Sequence, residues 1–232
     1  MKIRKNIKSL IRAFHSFPSG KVGMGAVLCC LIALTSCSEI AEKQWDPYYD
    51  WKARNAAWYE QIADSARTAI AAAQTQYGDT WEEHCDWRMY RSLLRSDSLN
   101  SSNVLGSLTD SICVHIRQRG TGTVSPIYND TVNLSFRGWL MPTEYEQPDG
   151  STKTFMAKFT ETFYGTYNPE TAKPQIMLVY NTIEGFSTAL QYMVEGDVWD
   201  VYIPQQLGYK NEVSNAIPAY STLLFRLYMR ER

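Results

Sequence analysis

Two stretches near the end of the chain, Trp199-x-Val201-x-Ile203 and Leu223-x-Phe225-x-Leu227-x-Met229, place an apolar residue at every second position. That period belongs to strands with one buried face each. Just upstream, Phe186, Ala189, Leu190 and Met193 fall at i, i+3, i+4 and i+7. They mark one face of a short helix that stops at Gly196. Strands with one apolar face and a short apolar helix beside them bury their surfaces most simply against each other. Earlier segments repeat the two-residue period. Ile112, Val114 and Ile116 alternate with polar neighbours, as do Val132, Leu134 and Phe136 before Gly138-Trp139-Leu140. Shorter strands are expected from Phe155 to Phe159 and from Ile176 to Val179. Arg119-Gly120-Thr121-Gly122-Thr123 reads as a turn, and so does Gln147-Pro148-Asp149-Gly150, where Pro presets φ and Gly accepts a positive one. Tyr167-Asn168-Pro169 falls in a long loop. The expected fold is α+β: a curled antiparallel sheet wrapped on one short helix.

Before the strands the period is helical. Asp46-Pro47 reads as a helix start with Pro at the first helical position. Trp51, Trp58, Ile62, Ala66, Ala69, Ala73 and Tyr77 share one face, and Gly78 is a natural stop. Thr80-Trp81-Glu82-Glu83 has the pattern of a capping box. It would open a second helix striped by Trp81, Cys85, Met89 and Leu93, running to about Arg95. The expected plan is a helical hairpin over residues 38–95, a Ser/Asn/Asp-rich linker over 96–109 and the sheet domain over 110–232. The aromatic stripe either packs on its own domain or joins two chains as a homodimer. The lack of sustained heptads favours the first.

Residues 1–36 read as a leader rather than as fold. Lys2, Arg4, Lys5, Lys8, Arg12 and Lys21 precede any acid, and an apolar run follows from Val22 to Leu34. That run is short of the roughly 20 residues that span a bilayer, as in a secretory signal peptide. Leu34-Thr35-Ser36-Cys37 resembles the bacterial lipobox, which implies cleavage before Cys37 and its lipidation. Ser38 rather than Asp after Cys37 leans, by analogy with bacterial lipoproteins, to an outer-membrane anchor facing the periplasm. The whole chain has 23 Lys+Arg and 24 Asp+Glu; without the leader, 17 basic residues stand against 24 acidic, a net charge of −7. A nucleic-acid partner would require a basic footprint, and none is expected. Cys29 and Cys30 leave with the leader. Cys85 and Cys113 are either a disulfide or buried thiols.

The reactive inventory is thin. His15 lies in the leader, His84 is expected on an exposed helix surface, and His115 points outward from a strand. There is no HExxH, no CxxC, no phosphate-cradling Gly loop and no nucleophile elbow. Acid–base, covalent and metal chemistry have no support, so no cofactor or metal is expected. A site working through apolar shape and a few hydrogen bonds fits.

Three ordered blocks carry a family resemblance. Ile183-x-Gly185-Phe186 with Met193-x-x-Gly196-Asp197 is similar to V-I-x-G-W…M-x-x-G. Tyr202-Ile203-Pro204 with Leu207-Gly208-Tyr209 is similar to I-P-x-x-L-A-Y-G, and Ile217-Pro218-Ala219-x-Ser221-x-Leu223-x-Phe225 to I-P-P-x-x-x-L-x-F. These motifs resemble the FKBP-type peptidyl-prolyl cis-trans isomerases over about Asp110 to Arg232. The resemblance implies a metal-free isomerase that accelerates X-Pro rotation in exported polypeptides. Phe186 stands where the family has its Trp floor, and Phe136, Phe159, Ile217 and Phe225 would line the walls. The Ile183 N–H and the Tyr209 hydroxyl would be the donors. The family usually carries Tyr at the position of Phe136 and Asp at that of Thr160, which bond each other. Here both are replaced together, which implies kept proline binding with reduced catalysis. The alternatives are a proline-binding chaperone and an interaction lipoprotein that works through its Trp-rich helices. Lys210 replaces the family's Gly after Tyr209 and leaves that loop's conformation open.

Overall fold

The computed structural model describes residues 46–95, 107–147 and 149–230. The leader with Cys37, most of the Ser/Asn/Asp-rich linker and Pro148 lie outside the described residues. A long helix α1 (Trp51–Tyr77) and a one-turn α2 (Trp81–His84) lead into strand β1 (Trp87–Arg91). Then come β2 (Ser111–Gln118), β3 (Thr131–Leu140), β4 (Thr143–Glu146), β5 (Thr152–Phe155), β6 (Lys158–Glu161) and β7 (Gln175–Leu178). Helix α3 (Glu184–Leu190), β8 (Val198–Ile203) and β9 (Leu223–Met229) follow. The main sheet runs β1-β2-β8-β9-β3-β6, with β7 also on β3; β4 and β5 form a separate hairpin. All the pairings are antiparallel.

The alternating residues of β2, β3, β8 and β9 face α3, and Ile112, Val114, Leu134, Val201, Ile203, Leu223 and Leu227 are buried there. This is the α+β plan expected from the two periods. Close approach depends on Gly185. A Cβ there would stand 2.4 Å from Ile203 Cγ2 and 3.2 Å from Ile112 Cγ2. Gly185→Val should therefore destabilise the protein by about 1–3 kcal/mol through overpacking, read by denaturant unfolding. A wild-type midpoint would show that α3 shifts freely.

The hairpin's second arm is shorter than expected. Its helix ends after one turn, at His84, and Trp87–Arg91 form an edge strand instead. Thr80 makes no side-chain cap; its hydroxyl donates to the Tyr77 carbonyl. Arg88 donates to the carbonyls of Glu82, Cys85 and Trp87 and lies over the Trp81 ring at 4.7 Å. These bonds tie the end of α2 to the start of β1 where the chain turns away. Trp81, Cys85, Met89 and Leu93 match a helical period, but Tyr90 packs against the main core and Met89 against α1. Pairing with β2 overrides local propensity. Residues before and after 96–109 thus share one sheet.

Two further expectations shift. Pro47 lies in a turn, with Asp46 Oδ1 accepting from the Tyr48 N–H at 2.8 Å, and α1 starts only at Trp51. The buried face of α1 comprises Trp51, Asn55, Tyr59, Ala63, Ala66 and Ala73, while Tyr77 is exposed and stacks on His84. This face packs on the chain's own sheet. Trp51 Nε1 donates to Ser221 Oγ at 2.9 Å, Asn55 Oδ1 accepts from the Thr222 N–H at 2.8 Å, and the Tyr59 hydroxyl donates to the Ser111 carbonyl. The second face of β2 is covered for that reason: Cys113 lies beneath Tyr59 and Ala63. Burial pushes its thiol up to about 11. Cys85 and Cys113 are free, buried thiols.

Candidate functional site

A cavity of about 530 Å³ opens between α3, the β3–β6–β9 part of the sheet and the loop after β8. Phe136, Phe159, Thr160, Ile183, Phe186, Tyr209, Ile217 and Phe225 all line it. Every cavity residue named from the sequence is therefore brought to one place. Phe186 sits in the first turn of α3, 3% exposed, and its ring meets Phe225 edge-on at 5.0 Å and Phe136 at 5.6 Å. Phe159 meets Phe225 at 5.3 Å and 90°. Edge-to-face contacts hold such rings in fixed orientations.

Two consecutive residues, Phe159 and Thr160, line the same wall, which a regular strand would forbid. A bulge explains it. Gly138 pairs with Thr160 and Trp139 with Lys158, leaving Phe159 as the extra residue. Gly138 leaves room for both: a Cβ there would lie 2.6 Å from Phe159 Cζ and 2.8 Å from Thr160 Cγ2. Further along, Thr162 Oγ1 accepts from the Phe136 N–H at 2.9 Å, and the Thr162 N–H donates to the Phe136 carbonyl at 3.0 Å. The backbone of the Phe136 wall is held from both sides.

The loop between β8 and β9 closes the cavity. Lys210 has φ +58°, the left-handed conformation that glycine adopts without strain. Its N–H donates to the Gln205 carbonyl at 2.9 Å and its carbonyl accepts from Tyr220 at 2.7 Å. These bonds hold the loop despite the side chain. Ser214 and Ile217 exchange backbone hydrogen bonds at 2.9 and 3.0 Å around Asn215, also left-handed at φ +50°, and Ile217 is buried in the wall.

Among the described residues no Asp, Glu, Lys, Arg or His lines the cavity. The Tyr209 hydroxyl has no hydrogen-bond partner among the described residues and is free for a ligand. Ile183 caps α3 and gives its carbonyl to the Phe186 and Ser187 N–H groups at 2.9 and 3.0 Å. Such a site can strip water from an apolar ring and offer hydrogen bonds to a carbonyl. It has no group that exchanges protons near neutral pH. Among the described residues no three His, Cys, Asp or Glu gather as a metal-ligand set. The sequence reading missed Met177 from β7, Tyr180, Asn181 and Thr182 beyond it, and Ser214, Asn215 and Ala216 in the closing turn. The polar ones carry no periodic signal; Asn215 before Ala216-Ile217-Pro218 hinted at a turn but not at a wall.

The site is an aromatic cavity with Phe186 of the first turn of α3 at its floor and residues of β3, β6 and β9 in its walls. Residues 122–229 match the family model of the FKBP-type peptidyl-prolyl cis-trans isomerases. The match starts beyond β2, and α1, α2 and β1 lie outside it. Among solved structures, the chain is similar to a peptidyl-prolyl cis-trans isomerase from Pseudomonas syringae pv. tomato. That likeness has 21% identity over 74% of this chain and 93% of that one, with a TM-score of 0.38. It is also similar to the three FKBP domains of wheat FKBP73, at 20% identity and a TM-score of 0.41 over 54% of this chain and 47% of that one. No described helix is long and apolar enough to cross a membrane.

Proposed function

We propose that this chain is a peptidyl-prolyl cis-trans isomerase that acts on X-Pro bonds of exported polypeptides, held at the cell envelope by a lipid on Cys37. The observation that carries the reading is the convergence of all eight sequence-assigned residues on one uncharged cavity. Rotation about X-Pro faces a barrier of about 20 kcal/mol, because resonance stabilises the planar amide. The planar form is the more charge-separated, so a water-poor aromatic cavity disfavours it relative to the twisted form. Phe186 and the walls hold the proline ring. The Ile183 N–H and Tyr209 hydroxyl orient the flanking carbonyls. Each ~1.4 kcal/mol of preference for the twisted form gives a tenfold rate. The envelope location and the exported clients rest on the basic leader, the short apolar run and the lipobox-like Leu34-Thr35-Ser36-Cys37.

A second reading, a proline-binding chaperone with little turnover, is favoured by one observation: Phe136 and Thr160 leave that wall without a carboxylate. Exchange NMR on an X-Pro peptide decides between them. Acceleration at micromolar protein supports the isomerase. Peptide binding without acceleration supports the chaperone, and the absence of both binding and acceleration would overturn the cavity reading. Membrane fractionation of the native chain and Cys37→Ser tests the anchor; equal membrane recovery would remove it.

A further inference from the structure

One side chain of the segment that precedes the family match bonds to the two chain segments that carry Ile183 and Tyr209. Arg95 ends the 3-10 turn Leu93–Arg95 that follows β1. Its Nε donates to Glu184 Oε1 at 2.8 Å and its Nη1 to Asp110 Oδ1 at 2.7 Å. Its Nη2 donates to the Gln206 carbonyl at 2.7 Å and to Glu184 Oε2 at 3.3 Å. Ser92 Oγ donates to Glu184 Oε1 at 2.6 Å, so the carboxylate is held from two sides.

The partners matter more than their number. Glu184 is the first residue of α3, directly after Ile183 and two before Phe186. Gln206 lies in the turn Gln205–Leu207, three residues before Tyr209. The neighbouring Gln205 carbonyl accepts the Lys210 N–H that fixes the far side of Tyr209. One planar guanidinium therefore links the segment bearing the Ile183 donor and the Phe186 floor to the segment bearing the Tyr209 hydroxyl. Arg95, Asp110 and Glu184 side chains are 29%, 22% and 18% exposed, so water screens the contacts only in part.

We propose that Arg95 is a positioning residue that fixes Ile183 and Tyr209 relative to each other, so that the N-terminal segment sets the geometry of the cavity from outside the family domain. It touches no substrate and acts through Glu184 and Gln206. A lysine would not replace it, because a point ammonium lacks the fork that meets a carboxylate and a carbonyl together. The proposal rests on the isomerase reading of the cavity, and its test is arranged to separate the two.

In the full chain, R95A and R95K are compared with wild type and with R67A, which breaks an exposed pair with Asp64 on α1. Measured are kcat and KM on an X-Pro peptide, thermal midpoint, and the amide resonances of Ile183 and Tyr209. R95A is expected to lower kcat about tenfold, equivalent to ~1.4 kcal/mol, with KM changed less than about threefold because the Phe186 floor remains. Both amides should move, R95K should recover less than half of kcat, and R67A should match wild type. A wild-type kcat and an unmoved Tyr209 amide in folded R95A, whatever its midpoint, would make Arg95 a structural tie only and overturn the proposal. Should R95A fail to fold, R95K and E184Q carry the same readouts. Should wild type lack turnover, the isomerase reading fails, while the two amides and the peptide affinity still decide whether Arg95 positions the cavity.

Discussion

Thr160→Asp combined with Phe136→Tyr is expected to raise kcat/KM at least tenfold, while Thr160→Asp alone lowers both activity and stability. Thr160 pairs with Gly138 in the β3–β6 ladder, and Phe136 lies two residues along β3 on the same face. That places positions 136 and 160 as diagonal neighbours, within reach of a long side chain. Thr160 is half-buried in the cavity wall, so a lone carboxylate there would cost toward the low end of the about 1–3 kcal/mol of an unpaired buried polar group. A tyrosine at 136 supplies the missing O–H. The double-mutant cycle over kcat/KM and unfolding free energy should therefore show strong positive coupling. Additive changes would mean that the two positions do not meet. A double variant no faster than wild type would mean that the native cavity had lost nothing by being neutral.

The largest purely structural effect is expected from Asp200→Ala. The Asp200 carboxylate, 2% exposed on β8, accepts Arg226 Nε at 2.6 Å and Nη2 at 2.7 Å, and Arg117 Nε at 2.6 Å. The hydrogen bond to Asp200 leads the causes that hold the Arg226 guanidinium well above its usual range. Removing the acid leaves two guanidiniums side by side without their counter-charge. Both are partly exposed, so water recovers some of the loss, and about 2–4 kcal/mol is expected rather than the full cost of an unpaired buried charge. Asp200→Asn keeps the volume and one acceptor and should lose less. Urea unfolding checks both. A loss under about 0.5 kcal/mol for Asp200→Ala would place this cluster with ordinary surface pairs.

The residues that align with the two-residue period, from Ile112 to Met229, announced the sheet. The order Phe186, Tyr209, Ile217, Phe225 pointed to the cavity only through its resemblance to the FKBP-type motifs, since Phe186 lies on α3 and Tyr209 and Ile217 in the loop after β8, where no strand period runs. What stayed hidden depends on contacts distant in sequence. Trp87–Arg91 became a strand because β2 offered an open edge, a fact not written in that segment. Asn55 and Tyr59 joined the buried face of α1 because Thr222 and Ser111 stand opposite. The bulge that turns both Phe159 and Thr160 inward needs only a bare Gly138 across the ladder, and one glycine is too weak a sign to read in advance. Arg95, at the end of the 3-10 turn after β1, was expected only as the close of a second helix, with no sign of its partners Glu184 and Gln206.

The bonds from α1 to the start of β9 also set the order in which the molecule can close. Trp51 and Ser221 are 170 residues apart, and Asn55 and Thr222 are 167 apart. Helix α1, the first among the described residues, therefore waits for the residues just before β9. The central strand pairs β2–β8 and β9–β3 likewise join distant parts of the chain. Loop closure of this kind slows folding. The clasp on α1 is thus a late event: Trp51 and Asn55 gain these partners only when Ser221 and Thr222 are in place.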